Sequence, residues 1–104
     1  MEPENAAILA GGNIGTHIQM GIGDGLIPDV LNCSIYEDIC IISDEEAIKT
    51  SKELASKEGI MCGISSGTNV AAAKRLAAKL GKGKTVVTIL PDTAERYFST
   101  PLFE

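Results

Sequence analysis

Gly63-Ile64-Ser65-Ser66-Gly67 decides the reading of this chain, because it closes an extended run, Ile60-Met61-Cys62, and opens an alanine-rich helical one. Such a turn belongs to an α/β layer. Glycine on either side lets the backbone approach a flat ligand or take angles that other residues resist, and a serine at a helix entrance can cap the free N–H groups of the first turn. The helical period begins after Ser66, which assigns Ser66 to capping and leaves Ser65 with a free hydroxyl. The alternative is that both hydroxyls bond to nearby backbone, as turn serines commonly do.

Downstream, the spacing predicts a helix over 68–80, with Val70, Ala73, Leu76, Ala77 and Leu80 inward and Lys74, Arg75 and Lys79 outward. Gly81 ends it. Thr85-Val86-Val87-Thr88-Ile89-Leu90 then reads as the clearest strand of the chain, of the kind covered on both faces in a parallel sheet. Pro91 to Tyr97 forms a polar loop at its carboxyl end, where open α/β sheets place ligands. Phe98, Leu102 and Phe103 are expected to tuck against the body.

Upstream, Ser43-Asp44-Glu45-Glu46 is a capping box with acidic side chains where the helix dipole favours them. A helix over 44–58 follows, with Ala47, Ile48, Leu54 and Ala55 as its inner stripe, Lys49, Lys52 and Lys57 in water, and Gly59 as its left-handed close. Ile39-Cys40-Ile41-Ile42 reads as a buried strand. Pro28-Asp29-Val30-Leu31 reads as one helical turn. Residues 11–25 hold Gly11, Gly12, Gly15, Gly21, Gly23 and Gly25, so they form a long loop. Within it, Gly21-Ile22-Gly23-Asp24-Gly25 is not a dinucleotide fingerprint, since it lacks the preceding strand, the following helix and the third glycine at its proper spacing. Ala6 to Ala10 can be helical or extended.

At 104 residues the chain makes one domain with a small aliphatic core: two Tyr, two Phe and no Trp accompany a hydrophobic fraction of 44%. A net charge of −5 without any basic run argues against nucleic acid as a partner. No apolar run approaches the roughly 18 residues that a membrane span needs, and the acidic start Met-Glu-Pro-Glu-Asn is unlike a signal peptide, so no membrane role and a cytoplasmic location are expected. Cys33, Cys40 and Cys62 read as buried free thiols, and no metal site is expected with His17 as the one histidine. His17, in a glycine-rich loop, reads as a surface or loop-packing residue rather than a ligand or base.

Taken together, several of these stretches resemble the C-terminal portion of the cysteine synthase (O-acetylserine sulfhydrylase) family, nearly from end to end. They are Gly21-Ile22-Gly23-Asp24-Gly25 with Ile27-Pro28, Ser43-Asp44-Glu45-Glu46-Ala47, Gly63-Ile64-Ser65-Ser66-Gly67, and Leu90-Pro91-Asp92 with Glu95-Arg96-Tyr97 and Ser99-Thr100. The resemblance implies the fold type II pyridoxal-phosphate architecture: a partial three-layer open parallel sheet with flanking helices, in which residues 1–104 are one partial domain of the larger α/β domain. It implies pyridoxal phosphate as cofactor, with Ser65 bonding the pyridine nitrogen and the backbone at Gly21 bordering the site. A neutral hydroxyl there suits replacement at a β-carbon, making L-cysteine and acetate from O-acetylserine and sulfide. Asn13 to Met20 departs from the family's usual Lys-Pro-Gly-Pro-His-Lys-Ile-Gln, with Met20 in place of its glutamine, and Thr93-Ala94 replaces Ser-Gly. The Schiff-base lysine, the substrate-carboxylate loop and the phosphate cradle have no match in this chain, so no catalytic residue is assigned and the chain alone is expected to be inert. Small-molecule substrates, a homodimer or a complementary polypeptide, and serine acetyltransferase are the implied partners. A non-enzymatic association module is the alternative.

Overall fold

The computed structural model describes residues 1–13, 15–19 and 21–97. Local chemistry sets the first long helix, α1, over Asp44–Glu58 as its sequence predicts: the Glu46 N–H donates to Ser43 Oγ at 3.2 Å, and Asp44, Glu45 and Glu46 occupy the first turn. Gly59 adopts the left-handed conformation, and the Ile60 N–H returns to the Leu54 carbonyl at 3.0 Å. Ala47 is buried, with Ile48, Leu54 and Ala55 half-buried. Thr50 and Ser51 lie deeper than these three because they face the second helix.

That helix, α2, spans Ile64–Leu80 and so begins four residues earlier than the periodicity predicts. Its N-cap is Gly63, and no side chain caps it. Ser66 is therefore not a cap: it is the third helical residue. The reason lies across the interface. A methyl group at Gly67 would run into the Ala47 carbonyl and the Ser51 hydroxyl, so this glycine lets α1 and α2 cross closely. In isolation the glycine looks like a break. Ser51 Oγ donates to the Gly63 carbonyl at 2.8 Å and secures the crossing.

The inward face of α2 also differs from the expectation. Ile64, Thr68 and Ala71 are buried, whereas Leu76 and Leu80 are 45% and 46% exposed and Ala77 is exposed too. The distal half of α2 looks onto an open groove of about 360 Å³ lined in part by Ala72, Leu76, Val86 and Val87. No described element covers it.

Two short strands, β1 (Glu2–Pro3) and β2 (Ile41–Ile42), pair in parallel, with Glu2 opposite Ile41 and Pro3 opposite Ile42. The expected strand over 39–42 is thus confined to its last two residues. The Glu2 carboxylate accepts from the Leu9 and Ala10 N–H groups and holds the segment after the 3-10 turn Glu4–Ala6. Residues 85–90 are not a strand. They run unpaired, with Val87 84% and Ile89 71% exposed, and Asn69 Nδ2 donates to the Ile89 carbonyl at 2.7 Å. A β-rich composition expresses fit to a pleated, half-buried surface, and no such surface stands beside these residues in the described chain.

Ile42, Ala47, Ile64, Ala71 and Ala94 form the core. Complete burial of Ile42 and Ile64 stabilises the fold by about 1.5–3 kcal/mol each. Pro28 starts a single turn, closed by the Leu31 N–H on the Pro28 carbonyl at 3.0 Å. All three cysteines are free, but burial holds only for Cys62: Cys40 is half-buried and Cys33 exposed. Phe98, Leu102 and Phe103 lie outside the described residues. Among the described residues, no helix is long and apolar enough to cross a membrane.

Candidate active site

Ser65 is the second residue of α2 and only 4% exposed. Its hydroxyl has no hydrogen-bond partner among the described residues. The alternative in which it locks onto its own backbone is therefore not what the structure adopts. Ser66 Oγ is fully buried and lacks a hydrogen bond of ordinary geometry, although it lies near enough to Cys62 to influence that thiol. Buried hydroxyls are usually satisfied, so the unpaired Ser66 Oγ beside the unbonded Ser65 hydroxyl marks an unusual turn.

The segment 90–94 comes to the same turn. Cys62 pairs with Thr93 in an isolated antiparallel bridge, and the Ala94 N–H donates to the Met61 carbonyl at 3.3 Å. The loop expected at a ligand edge thus packs directly before the α2 entrance. The 3-10 turn Ala94–Tyr97 continues it. Burial pushes the Cys62 thiol upward, with the Ser51 and Ser66 hydroxyls pulling the other way and the Asp92 charge adding to the rise. A thiol held neutral is neither nucleophile nor metal ligand.

The glycine loop reaches α2 at Thr68, one turn beyond Ser65. Gly21 has φ +88°, a conformation that side chains rarely adopt, and nothing lies within 4 Å of where its Cβ would sit. The Gln19 N–H donates to His17 Nδ1 at 3.0 Å, so Nδ1 is the acceptor and the ring donates through Nε2 to the Gly23 carbonyl at 2.9 Å. His17 packs the loop, as its sequence context implies.

Sequence reasoning gave Gln19 no role, yet it is completely buried and joins this loop to α2. Thr68 Oγ1 donates to Gln19 Oε1 at 2.7 Å, while Gln19 Nε2 donates to the Ile42 carbonyl at 3.0 Å and to Asp44 Oδ1 at 2.8 Å. No local period could have revealed it. Thr68 lies one turn beyond Ser65, and Gln19 two residues before Gly21, so this side-chain bond ties the two predicted site residues into one framework.

The arrangement offers a neutral donor at a helix start and open backbone at a left-handed glycine. Among the described residues, no charged side chain bonds to Ser65, although the Asp92 carboxylate lies near enough to act on Cys62. That donor set suits an unprotonated aromatic nitrogen, and the residues present therefore fit the ring of pyridoxal phosphate.

Comparison with known proteins agrees. Residues 1–92 match the family model described as pyridoxal-phosphate dependent enzyme. A cysteine synthase of Staphylococcus aureus (strain Mu50 / ATCC 700699) is 48% identical over 103 residues, covering 99% of this chain and 33% of the relative. The crystal structure of cysteine synthase from Entamoeba histolytica superposes with a TM-score of 0.95 at 41% identity, over 98% of this chain and 30% of that one. An O-acetylserine dependent cystathionine beta-synthase from Helicobacter pylori gives 0.92 at 40% identity, over 99% and 33%. The chain thus spans about a third of the length of the relatives it matches. With a family model matched over most of its length, the chain belongs to the pyridoxal-phosphate-dependent enzyme family.

Proposed function

We propose that this chain forms the cofactor-ring side of a cysteine synthase, which makes L-cysteine and acetate from O-acetylserine and sulfide. The observation that carries the reading is the Ser65 hydroxyl, held at the start of α2 with no hydrogen bond among the described residues. When bound, pyridoxal phosphate withdraws electrons from the α-carbon of an amino acid, which lets a group leave from the β-carbon. Ser65 would hold the ring nitrogen by donating to it without charging it, which would favour β-replacement over transamination. Gly21 would offer backbone to the ring, because its φ of +88° turns the loop where a side chain would be strained.

The lysines of this chain are all exposed, and none lies in the buried run 62–68. These residues therefore orient the ring, and the covalent anchor is supplied by the part of the enzyme that they do not span, so that by themselves they are inert. Its free thiols fit a reducing, cytoplasmic setting. The experiment is a nuclear magnetic resonance titration of the labelled chain with pyridoxine 5′-phosphate, which carries no aldehyde and so cannot attach to surface lysines. Amide shifts at 64–67 and 21–23 that vanish in Ser65→Ala support the reading. Shifts that persist in that variant contradict it.

A second reading, an association module, is favoured by a separate observation. Val87 and Ile89 lie exposed on an unpaired extended segment, and such edges associate. A second copy, the complementary part of a synthase, or serine acetyltransferase would be the partner. Sedimentation of the chain with each decides it: a monomer that ignores all three removes this reading.

A further inference from the structure

Gln19 sits where four segments meet: its own glycine loop, β2, the first residue of α1 and the second turn of α2. Its amide has no freedom to turn over. Nε2 faces two acceptors, the Ile42 carbonyl and Asp44 Oδ1, while Oε1 faces the Thr68 hydroxyl. Exchanging N and O would set an oxygen against two oxygens, so the network itself fixes the orientation. Thr68 has a single proton, and the 2.7 Å contact to Gln19 claims it over the 3.3 Å contact to the Ile64 carbonyl. Asp44 takes hold of the loop a second time, accepting from the Ile18 N–H at 3.3 Å.

The grip extends forward from Gln19. The Ile22 N–H donates to the Gln19 carbonyl at 3.4 Å, and the His17 ring links the Gln19 N–H to the Gly23 carbonyl. Gly21 therefore lies inside a loop braced on both sides of it, while Ser65 and Thr68 share one face of α2 at a spacing of three residues.

We infer that Gln19 is a positioning residue: through Thr68 it sets the separation between Gly21 and Ser65, so that the slot for a flat ring exists before the ring arrives. This rests on the proposed cofactor reading for the identity of the ring, but not for the geometry of the tie. Gln19 touches no reacting atom. Its effect passes through the two residues it holds in register, as preorganisation requires.

The test uses the full chain, labelled with nitrogen-15, as wild type, Thr68→Val and Thr68→Ser. Thr68→Val keeps the volume and removes the proton donated to Gln19; Thr68→Ser restores the donor. In Thr68→Val, hydrogen exchange at the Ile18, Gln19 and Ile22 amides speeds by about tenfold, while Ala47 and Ala71 in the helices keep their protection. Affinity for pyridoxine 5′-phosphate falls by about threefold or more, and both readouts return in Thr68→Ser. Loop amides unmoved in Thr68→Val, helix amides lost equally with them, or no rescue by serine would each overturn the inference. If wild type binds no pyridoxine 5′-phosphate, the cofactor reading falls, and the exchange data alone decide the tie. Should Thr68→Val fail to fold, Gln19→Met cuts the same link from its other end and is read by the same amides.

Discussion

Gly67→Ala tests the helix crossing, because two physical effects predict opposite signs. In a helix interior, alanine is about 1 kcal/mol more favourable than glycine, so propensity alone makes the variant more stable. The structure argues otherwise. A methyl group at residue 67 meets the Ala47 carbonyl and the Ser51 hydroxyl, and the first of these is backbone that cannot swing aside. Overpacking of this kind costs about 1–3 kcal/mol, and a rigid obstacle places it in the upper part of that range. Subtracting the gain in propensity leaves a net loss of about 1–2 kcal/mol. With a urea slope of about 1 kcal/mol/M for a small domain, the unfolding midpoint falls by about 1 M or more. A midpoint equal to or above that of wild type in Gly67→Ala would refute the close crossing, and with it the reason for a glycine inside this turn.

Ser43→Ala removes the bond to the Glu46 N–H and lowers stability by about 1 kcal/mol in the same urea assay. Ser65→Ala leaves stability within about 0.5 kcal/mol of wild type, because its hydroxyl bonds to nothing among the described residues, and Ser66→Ala is neutral or stabilising because it deletes a buried unpaired group. A loss well beyond that from Ser65→Ala would mean the hydroxyl already has a partner. The buried Cys62 thiol titrates above its ordinary value of 9.0, so the unfolded chain gives up this proton first: its contribution is whole below about pH 9 and is lost as pH rises toward the folded value. Unfolding midpoints measured from neutral to alkaline pH should show that decline, and Cys62→Ala should reduce it. With a thiol reagent at neutral pH, exposed Cys33 reacts first and Cys62 only on unfolding.

What was legible in the sequence was what neighbours in the chain decide among themselves. The Ser43 cap, the acidic first turn and the Gly59 close need only residues within α1, and each stands where it was read. The start of α2 is not legible locally, because Gly67 resembles a helix break until α1 is laid against it. Its inward face was misread for a related reason: Leu76 and Leu80 are as apolar as Ile64, and only the covering element decides which of them is buried. Residues 85–90 carry strand composition, but pairing is a property of two segments. Ser65 and Gly21 could be picked from the turn and the glycines around them, with the family resemblance assigning the cofactor contact. Gln19 could not: its three side-chain partners lie on three other segments, and an amide in a glycine-rich loop looks like any other solvated side chain.

Reconstitution with a polypeptide carrying the complementary two thirds of a cysteine synthase tests the central claim most directly. The account predicts that the mixture, supplied with pyridoxal phosphate, O-acetylserine and sulfide, forms cysteine while neither part does so alone. It predicts further that Ser65→Ala, with its stability intact, lowers the rate and shifts the visible absorbance of the bound cofactor. A complex that assembles, holds the cofactor and turns over with the same rate and spectrum in Ser65→Ala would contradict it.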